Sequence, residues 1–275
     1  MDTKIGLALG GGSARGLAHI FVLEVFDELG IRPAAIAGTS AGAIIGAVYA
    51  SGVSARGIRN QIDSRFALKD NDESRYLDGR KLIRIIRLLD PDFSGGGMIR
   101  GKRISRLLHE MTDVEDFRDL KIPLTIIATD FWDSSEFVIR EGPLIPAVKA
   151  SMSVPGVFTP VRHMNRLLVD GACTNPVPWD RLEGCDVRIG INALGAPSSK
   201  NRGKSPKAAK MIVGSFEVMQ RSILSLKFRY NPPDLLLSPL VEDLGIFYFR
   251  RVDTIYNRCE PMVKELRDFL SAFVK

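Results

Sequence analysis

Cysteine is scarce in this sequence. The three residues, Cys173, Cys185 and Cys259, show no CxxC spacing. That excludes a disulfide scaffold and fits inert free thiols in a reducing compartment. Histidine is as scarce, with His19, His109 and His163 far apart. Scattered histidines and cysteines make no metal-ligand set, so neither a metal nor a cofactor is expected. The opening MDTKIGLALG has no basic stretch followed by an apolar core of signal-peptide length. The expectation is therefore a chain without a signal peptide, cytoplasmic, with peripheral contact at the inner face of the membrane left open.

Long apolar runs are lacking too, with one apparent exception. Ala34–Val53 is 20 residues without a charge, about the length of a membrane span. Gly38, Gly42 and Gly46 even have the spacing of packed membrane helices. Its large apolar residues are only Ile36, Ile44, Ile45, Val48, Tyr49 and Val53. A strand, a tight turn and a buried helix account for it better.

What remains is ordinary globular material: 275 residues, 45% hydrophobic and 25% charged. Lys and Arg number 38 against 32 Asp and Glu, so 38 − 32 gives +6. Such a surplus suits nucleic acid, an anionic membrane, or solubility alone. Five of the basic residues fall in Pro197–Lys210, a stretch without acidic residues and rich in turn formers. It reads as a mobile surface loop.

Ile5–Leu9 is a short apolar run ending in three glycines, and Leu17–Leu29 has helical spacing closed by Gly30. Ala34–Ala37 and Ala41–Ala50 repeat the strand and helix order, which predicts a mostly parallel α/β sheet. Residues 54–120 are charged and interrupted, with helical stretches at Lys81–Leu89 and Lys102–Met111, and read as a helical insertion or cap. Pro123–Asp130, Glu136–Arg140, Arg166–Val169, Val187–Ala193 and Leu235–Leu237 read as strands. Val148–Ser153, Ala208–Phe228 and Val252–Val274 read as helices.

Three short segments carry chemistry. Gly38-Thr39-Ser40-Ala41-Gly42 fits G-x-S-x-G between a strand and a helix, the setting of a nucleophile elbow. The turn would lift the Ser40 hydroxyl to a helix N-terminus, where the Ala41 N–H can hold an oxyanion. Gly10-Gly11-Gly12-Ser13-Ala14-Arg15-Gly16 fails the dinucleotide fingerprint, because Ser13 or Arg15 stands where a glycine is needed. It lacks the Lys of a phosphate loop as well. A row of backbone N–H groups forming an oxyanion hole is the reading left. Asp170-Gly171-Ala172 follows a strand-like run, and a desolvated carboxylate there could deprotonate a serine. No histidine follows Asp170, so a Ser–Asp pair fits the inventory better than a triad.

Together these segments resemble the bacterial patatin-like phospholipases. The similar stretches are Gly6–His19, Gly38–Gly42, Ala128–Asp130, Ala150–Pro160 and Asp170–Ala172, in family order over about two thirds of the chain. The resemblance implies a three-layer α/β/α fold. The patatin-like catalytic core would span 5–182, and residues 183–275 would add strands and helices that complete the same domain. It implies hydrolysis of lipid acyl esters, of the phospholipase A, lysophospholipase or esterase type, with Ser40 as nucleophile and Asp170 as base. Gly10, Gly11, Gly12, Ser13 and Ala41 would form the oxyanion hole. Arg15, Gly16, Gly38, Gly42, Gly171 and Ala172 would support them.

Departures are Ser13 and Phe21, where many members carry glycine, and Ala172 in place of the commoner glycine. Ser13 keeps its N–H, so the hole survives provided the position does not need positive φ. Phe21 is expected to add bulk that narrows the acyl site. The alternatives are an acyltransferase working through the same acyl-serine, and a non-catalytic lipid-binding regulator. The expected partner is a phospholipid or other lipid ester, with contact to an anionic membrane through the 197–210 loop. No nucleic-acid module is recognisable, and oligomeric state is not legible.

Overall fold

The computed structural model describes residues 3–66, 101–194, 208–240 and 252–273. Among them an eight-stranded sheet organises the molecule. Its strands are β1 (Ile5–Leu9), β2 (Ala35–Thr39), β3 (Leu124–Asp130), β4 (Ser135–Ile139), β5 (Val161–His163), β6 (Arg166–Asp170), β7 (Val187–Ile191) and β8 (Leu235–Leu237). Parallel pairing runs from β3 through β2, β1 and β7 to β8. The β4, β6 and β5 pairings are antiparallel. The expected α/β fold, with helices on both faces of a mostly parallel sheet, is what the chain adopts.

The two faces of the central strands differ in side-chain size. Leu7, Leu9, Ile36, Ile189 and Ile191 point into the large core. That core is covered by α1 (Ala18–Glu28), α2 (Ala41–Ala50), α3 (Ala55–Phe66), α4 (Lys102–Thr112), α5 (Leu144–Ser151) and α7 (Val252–Ser271). Their neighbours Ala8 and Ala37 point to the other face, where small side chains leave room for Trp179, Val177 and Leu224. Leu224 belongs to α6 (Ala208–Tyr230), which lies over this second face.

Local chemistry sets several boundaries. Helix α1 ends where the sequence places its stop. Gly30 has φ 66, and the Ile31 N–H bonds back to the Phe26 carbonyl at 2.9 Å, a left-handed glycine cap. Helix α5 begins at Leu144, four residues before the expected start at Val148. Pro146 lies in its first turn, where the N–H it lacks would have no intrahelical acceptor. In the expected cap at 54–120, α3 packs on α1 and α2, while α4 packs on α2 and α5. Both belong to the helical layer. Lys81–Leu89, and the Pro197–Lys210 loop up to residue 207, lie outside the described residues. Ala34–Val53 is β2, a sharp turn and α2. No helix among the described residues is long and apolar enough to cross a membrane.

The register of β3 fixes the rest. β4 pairs with residues 126–130 along one edge. On the other edge β2 pairs with 124–127, and β6 pairs with 128–130 from the opposite direction. The two strands run head-on and stop at consecutive β3 residues, Thr39 beside Ile127 and Asp170 beside Ala128.

Candidate active site

Ser40 follows directly from the end of β2, and Asp170 is the last residue of β6. Their meeting on one edge of β3 brings the Ser40 hydroxyl to 2.7 Å from Asp170 Oδ2, which accepts its hydrogen bond. The backbone at Ser40 is strained, with φ 55 and ψ −117, a region serine rarely adopts. Helix α2 starts at the next residue, so the hydroxyl stands at its N-terminus. Gly42 permits this sharp entry, because a Cβ there would overlap the Leu9 carbonyl. Gly16 likewise lets the glycine loop approach the elbow, since its Cβ would collide with that of Ala41. Gly38 lies in β2, two residues before Ser40, and Gly171 and Ala172 follow Asp170.

Asp170 is held from several sides. Its Oδ1 accepts the Ala172 N–H at 2.8 Å, and its own N–H donates to the Ser153 carbonyl at 2.9 Å. It is almost wholly buried and has no cation partner among the described residues. Burial pushes its carboxyl up to about 6, against the opposing pull of the Ala172 and Ser40 hydrogen bonds. This is the shift a general base needs to match neutral pH. Cys173 is adjacent, and burial together with the Asp170 charge pushes its thiol up to about 12. The thiol therefore stays protonated.

The glycine loop divides into two parts. The Gly10 N–H donates to the Ile191 carbonyl and the Gly11 N–H to the Pro176 carbonyl, both at 3.0 Å. Those two donors are engaged in holding the loop. Gly12 and Ser13 N–H have no hydrogen-bond partner among the described residues. Ser13 has φ 51, so the condition attached to it in sequence is not met. The position is left-handed and serine is strained there, although its N–H remains. Arg15 is buried, donates to the Leu194 carbonyl at 3.0 Å, and pairs with Glu217 of α6.

Of the expected residues, Gly11, Gly12, Ser13, Arg15, Ser40, Asp170 and Ala172 line one cavity of about 460 Å³. Gly10, Gly16, Gly38, Ala41, Gly42 and Gly171 frame it without lining it. Val154, Pro155 and Val157 form another wall, and Phe216, Met219 and Ile223 of α6 supply an apolar roof. Phe21 does not narrow this cavity. It is buried on the far side of α1, in a groove against α7, with the Arg59 guanidinium over its ring at 5.2 Å.

None of the histidines completes a triad. His19 Nε2 lies 2.8 Å from the Gly10 carbonyl, and burial pulls its pKa down to about 4. A neutral ring donating to Gly10 braces the glycine loop. His163 packs its ring edge-on to Phe137, and His109 sits on α4. No group of metal-ligating side chains occurs among the described residues.

Sequence reasoning missed the supports. Ser151 Oγ accepts the Ser40 N–H at 2.8 Å. Asn175 takes the Thr39 hydroxyl on its carbonyl, and its buried side chain bonds Glu136, Asp180 and Lys227. The one available signal was the run of small and polar residues at Ala150–Pro160 and beyond Asp170.

A family model described as patatin-like phospholipase matches residues 7–182. The chain belongs to the patatin-like phospholipase family. An uncharacterized NTE family protein of Mycobacterium tuberculosis is 31% identical over 205 residues, covering 74% of this chain and 52% of that protein. Patatin-like phospholipase domain-containing protein 6 of Homo sapiens is 31% identical over 192 residues, 68% of this chain and 13% of that protein. Neuropathy target esterase sws of Drosophila melanogaster is 30% identical over 179 residues, 64% and 12% respectively. The chain thus spans about half the length of the mycobacterial relative and a small part of the animal ones. The crystal structure of VipD from Legionella pneumophila covers 97% of this chain and 67% of its own, with TM-score 0.49 and 12% identity.

Proposed function

We propose that this patatin-like chain hydrolyses lipid acyl esters through Ser40 and Asp170. The observation that carries the reading is the 2.7 Å hydrogen bond between the Ser40 hydroxyl and a buried carboxylate. As Ser40 Oγ attacks the ester carbonyl, its proton passes to Asp170 Oδ2. The carbonyl oxygen becomes an oxyanion, held by the N–H groups of Gly12, Ser13 and Ala41. Gly10 and Gly11 drop out of the expected hole and serve as its braces, because their N–H groups are engaged elsewhere. Collapse breaks the ester C–O bond, and the proton on Asp170 goes to the departing alkoxide. Asp170 then takes a proton from the water that attacks the acyl-serine carbonyl. Collapse breaks the bond from the acyl carbon to Ser40 Oγ, Asp170 returns the proton to Oγ, and the fatty acid leaves.

An apolar cavity roofed by Phe216, Met219 and Ile223 favours an acyl chain over a polar substrate. Phospholipid, lysophospholipid and simple lipid esters all meet this description, and a lipid-class panel sorts them. Contact with an anionic membrane through the basic residues of Pro197–Lys210 is part of the same reading. Ser40→Ala and Asp170→Asn should each lower hydrolysis of a short soluble ester by at least about a thousandfold while the protein stays folded. A fluorophosphonate should label Ser40 in the wild type only. A folded Ser40→Ala protein with ordinary turnover overturns the assignment.

A further inference from the structure

Two turns at the sheet's carboxyl end present apolar side chains that packing does not explain. Phe131 and Trp132 lie in the β3–β4 turn, and Met164 lies in the β5–β6 turn. They are 46%, 75% and 77% exposed. Both turns project beyond the end of β3, on the same end of the sheet as Ser40. Ser40 leaves β2 level with Ala128, and Trp132 stands four residues further on, about 13 Å at strand rise.

The turns are stitched into one rigid body. The Phe131 N–H donates to the Leu167 carbonyl at 2.9 Å. Asp130 accepts the N–H groups of Trp132 and Asp133, and Arg166 bonds both Asp130 and Asp133 at 2.6 and 2.7 Å. The Phe131 and Trp132 rings pack edge-on with centroids 4.9 Å apart.

Turn chemistry does not select these residues either. Met164 and Asn165 have φ 45 and 64, a two-residue turn whose first position favours asparagine or glycine. Methionine there is strained in backbone and exposed in side chain. A residue that neither the core nor the turn favours, beside an exposed tryptophan, indicates a contact outside the chain. Tryptophan is enriched at membrane–water interfaces, where its apolar body and polar N–H are both accommodated. Exposed Arg162 flanks the tip, placed for lipid phosphate. The rim of the Ser40 cavity on this end is apolar as well, through Pro155, Val157 and the exposed Met219.

We infer that Phe131, Trp132 and Met164 form a prong that enters a lipid bilayer interface and turns the mouth of the Ser40 cavity toward it. The prong's purpose rests on the lipid-ester reading, whereas its insertion is measured separately. The chain has two tryptophans, and Trp179 is fully buried, so an interfacial quencher reports on Trp132. Brominated phosphatidylcholine vesicles containing phosphatidylglycerol should quench and blue-shift the emission, and Trp132→Ser should abolish both effects. Trp132→Ser with Met164→Ser should cut hydrolysis of vesicle lipid at least tenfold and leave a soluble short-chain ester within twofold of wild type.

Absence of quenching overturns the inference, and so does full vesicle binding by the double variant. A concentration-dependent dimer that already shields Trp132 without lipid overturns it too, because the prong then meets a second copy. A wild type inactive on the soluble ester but quenched by vesicles would refute the hydrolase and keep the prong.

Discussion

The two faces of the sheet are held by different physics. The face under α1, α2 and α7 is a continuous apolar core, with Phe26, Leu23 and Val22 wholly buried. The face under α6 has a small apolar cluster around Trp179 and, beside it, a network of charges. Lys227 of α6 pairs with Asp180, donates to Asn175 Oδ1 and the Val177 carbonyl, and lies over the Trp179 ring at 4.4 Å. Arg181 and Asn175 both bond Glu136. Burial alone would raise the Asp180 carboxyl, but the Lys227 charge and hydrogen bonds hold it below its ordinary value. Ser40 and Asp170 stand where these faces meet. The difference teaches that the scaffold beneath Ser40 and the roof above it can be weakened independently.

The largest expected effect lies in the apolar face. Phe26→Ala should cost about 4 kcal/mol and lower Tm by thermal melt, with turnover per folded molecule unchanged. A large loss of turnover in the folded fraction would break the comparison. Next is the boundary, where Asp170 is a buried carboxylate without a cation partner among the described residues. Its raised pKa means that the folded state binds the proton more tightly than the unfolded one. The associated stability is full below about pH 4 and is lost as pH rises through about 6. Asp170→Asn should therefore match wild type in acid and become more stable above pH 6, by up to about 3 kcal/mol, in melts across pH. The same titration predicts an acid limb near pH 6 in kcat/KM.

On the charged face, Lys227→Met takes the closer cation from Asp180, leaving Arg181 at 3.5 Å, strips Asn175 Oδ1 of its donor, and should cost about 2 kcal/mol. It should also raise KM for long-chain esters more than for short ones, because it loosens α6. Equal effects on both chain lengths would mean that the roof does not depend on this network. The smallest change is Ser13→Gly, which relieves the left-handed backbone and should stabilise by about 1 kcal/mol in denaturant melts. Activity should hold, because the N–H is kept.

The legible part of this fold is local. β1, the glycine loop, α1 and the elbow each carry their own signal, because strand period, turn glycine and helix cap lie within a few residues of one another. The Ser40 and Asp170 pair was legible as residue types. What was not legible depends on partners far along the chain. That the Gly10 and Gly11 N–H groups are engaged follows from Ile191 and Pro176, more than 160 residues away. The place of α6 over the cavity follows from Glu217 meeting Arg15 and Lys227 meeting Asp180. Helix α5 starts four residues earlier than its apolar spacing suggests, because a first turn accepts Pro146. Phe21 was misplaced because one helix has two buried sides, and its sequence does not say which side faces the site.

The head-on meeting of β2 and β6 along β3 makes that strand a ruler. The gap between nucleophile and base is one step in β3, from Ile127 to Ala128, and the loops do not set it. The long segment between Ser40 and β3 can therefore lengthen, shorten or change its character without moving the pair. A single residue inserted between Ile127 and Ala128 would separate them by about 3.4 Å and turn one toward the wrong face. Diversity in this scaffold has a free lane outside β3, and almost none within it.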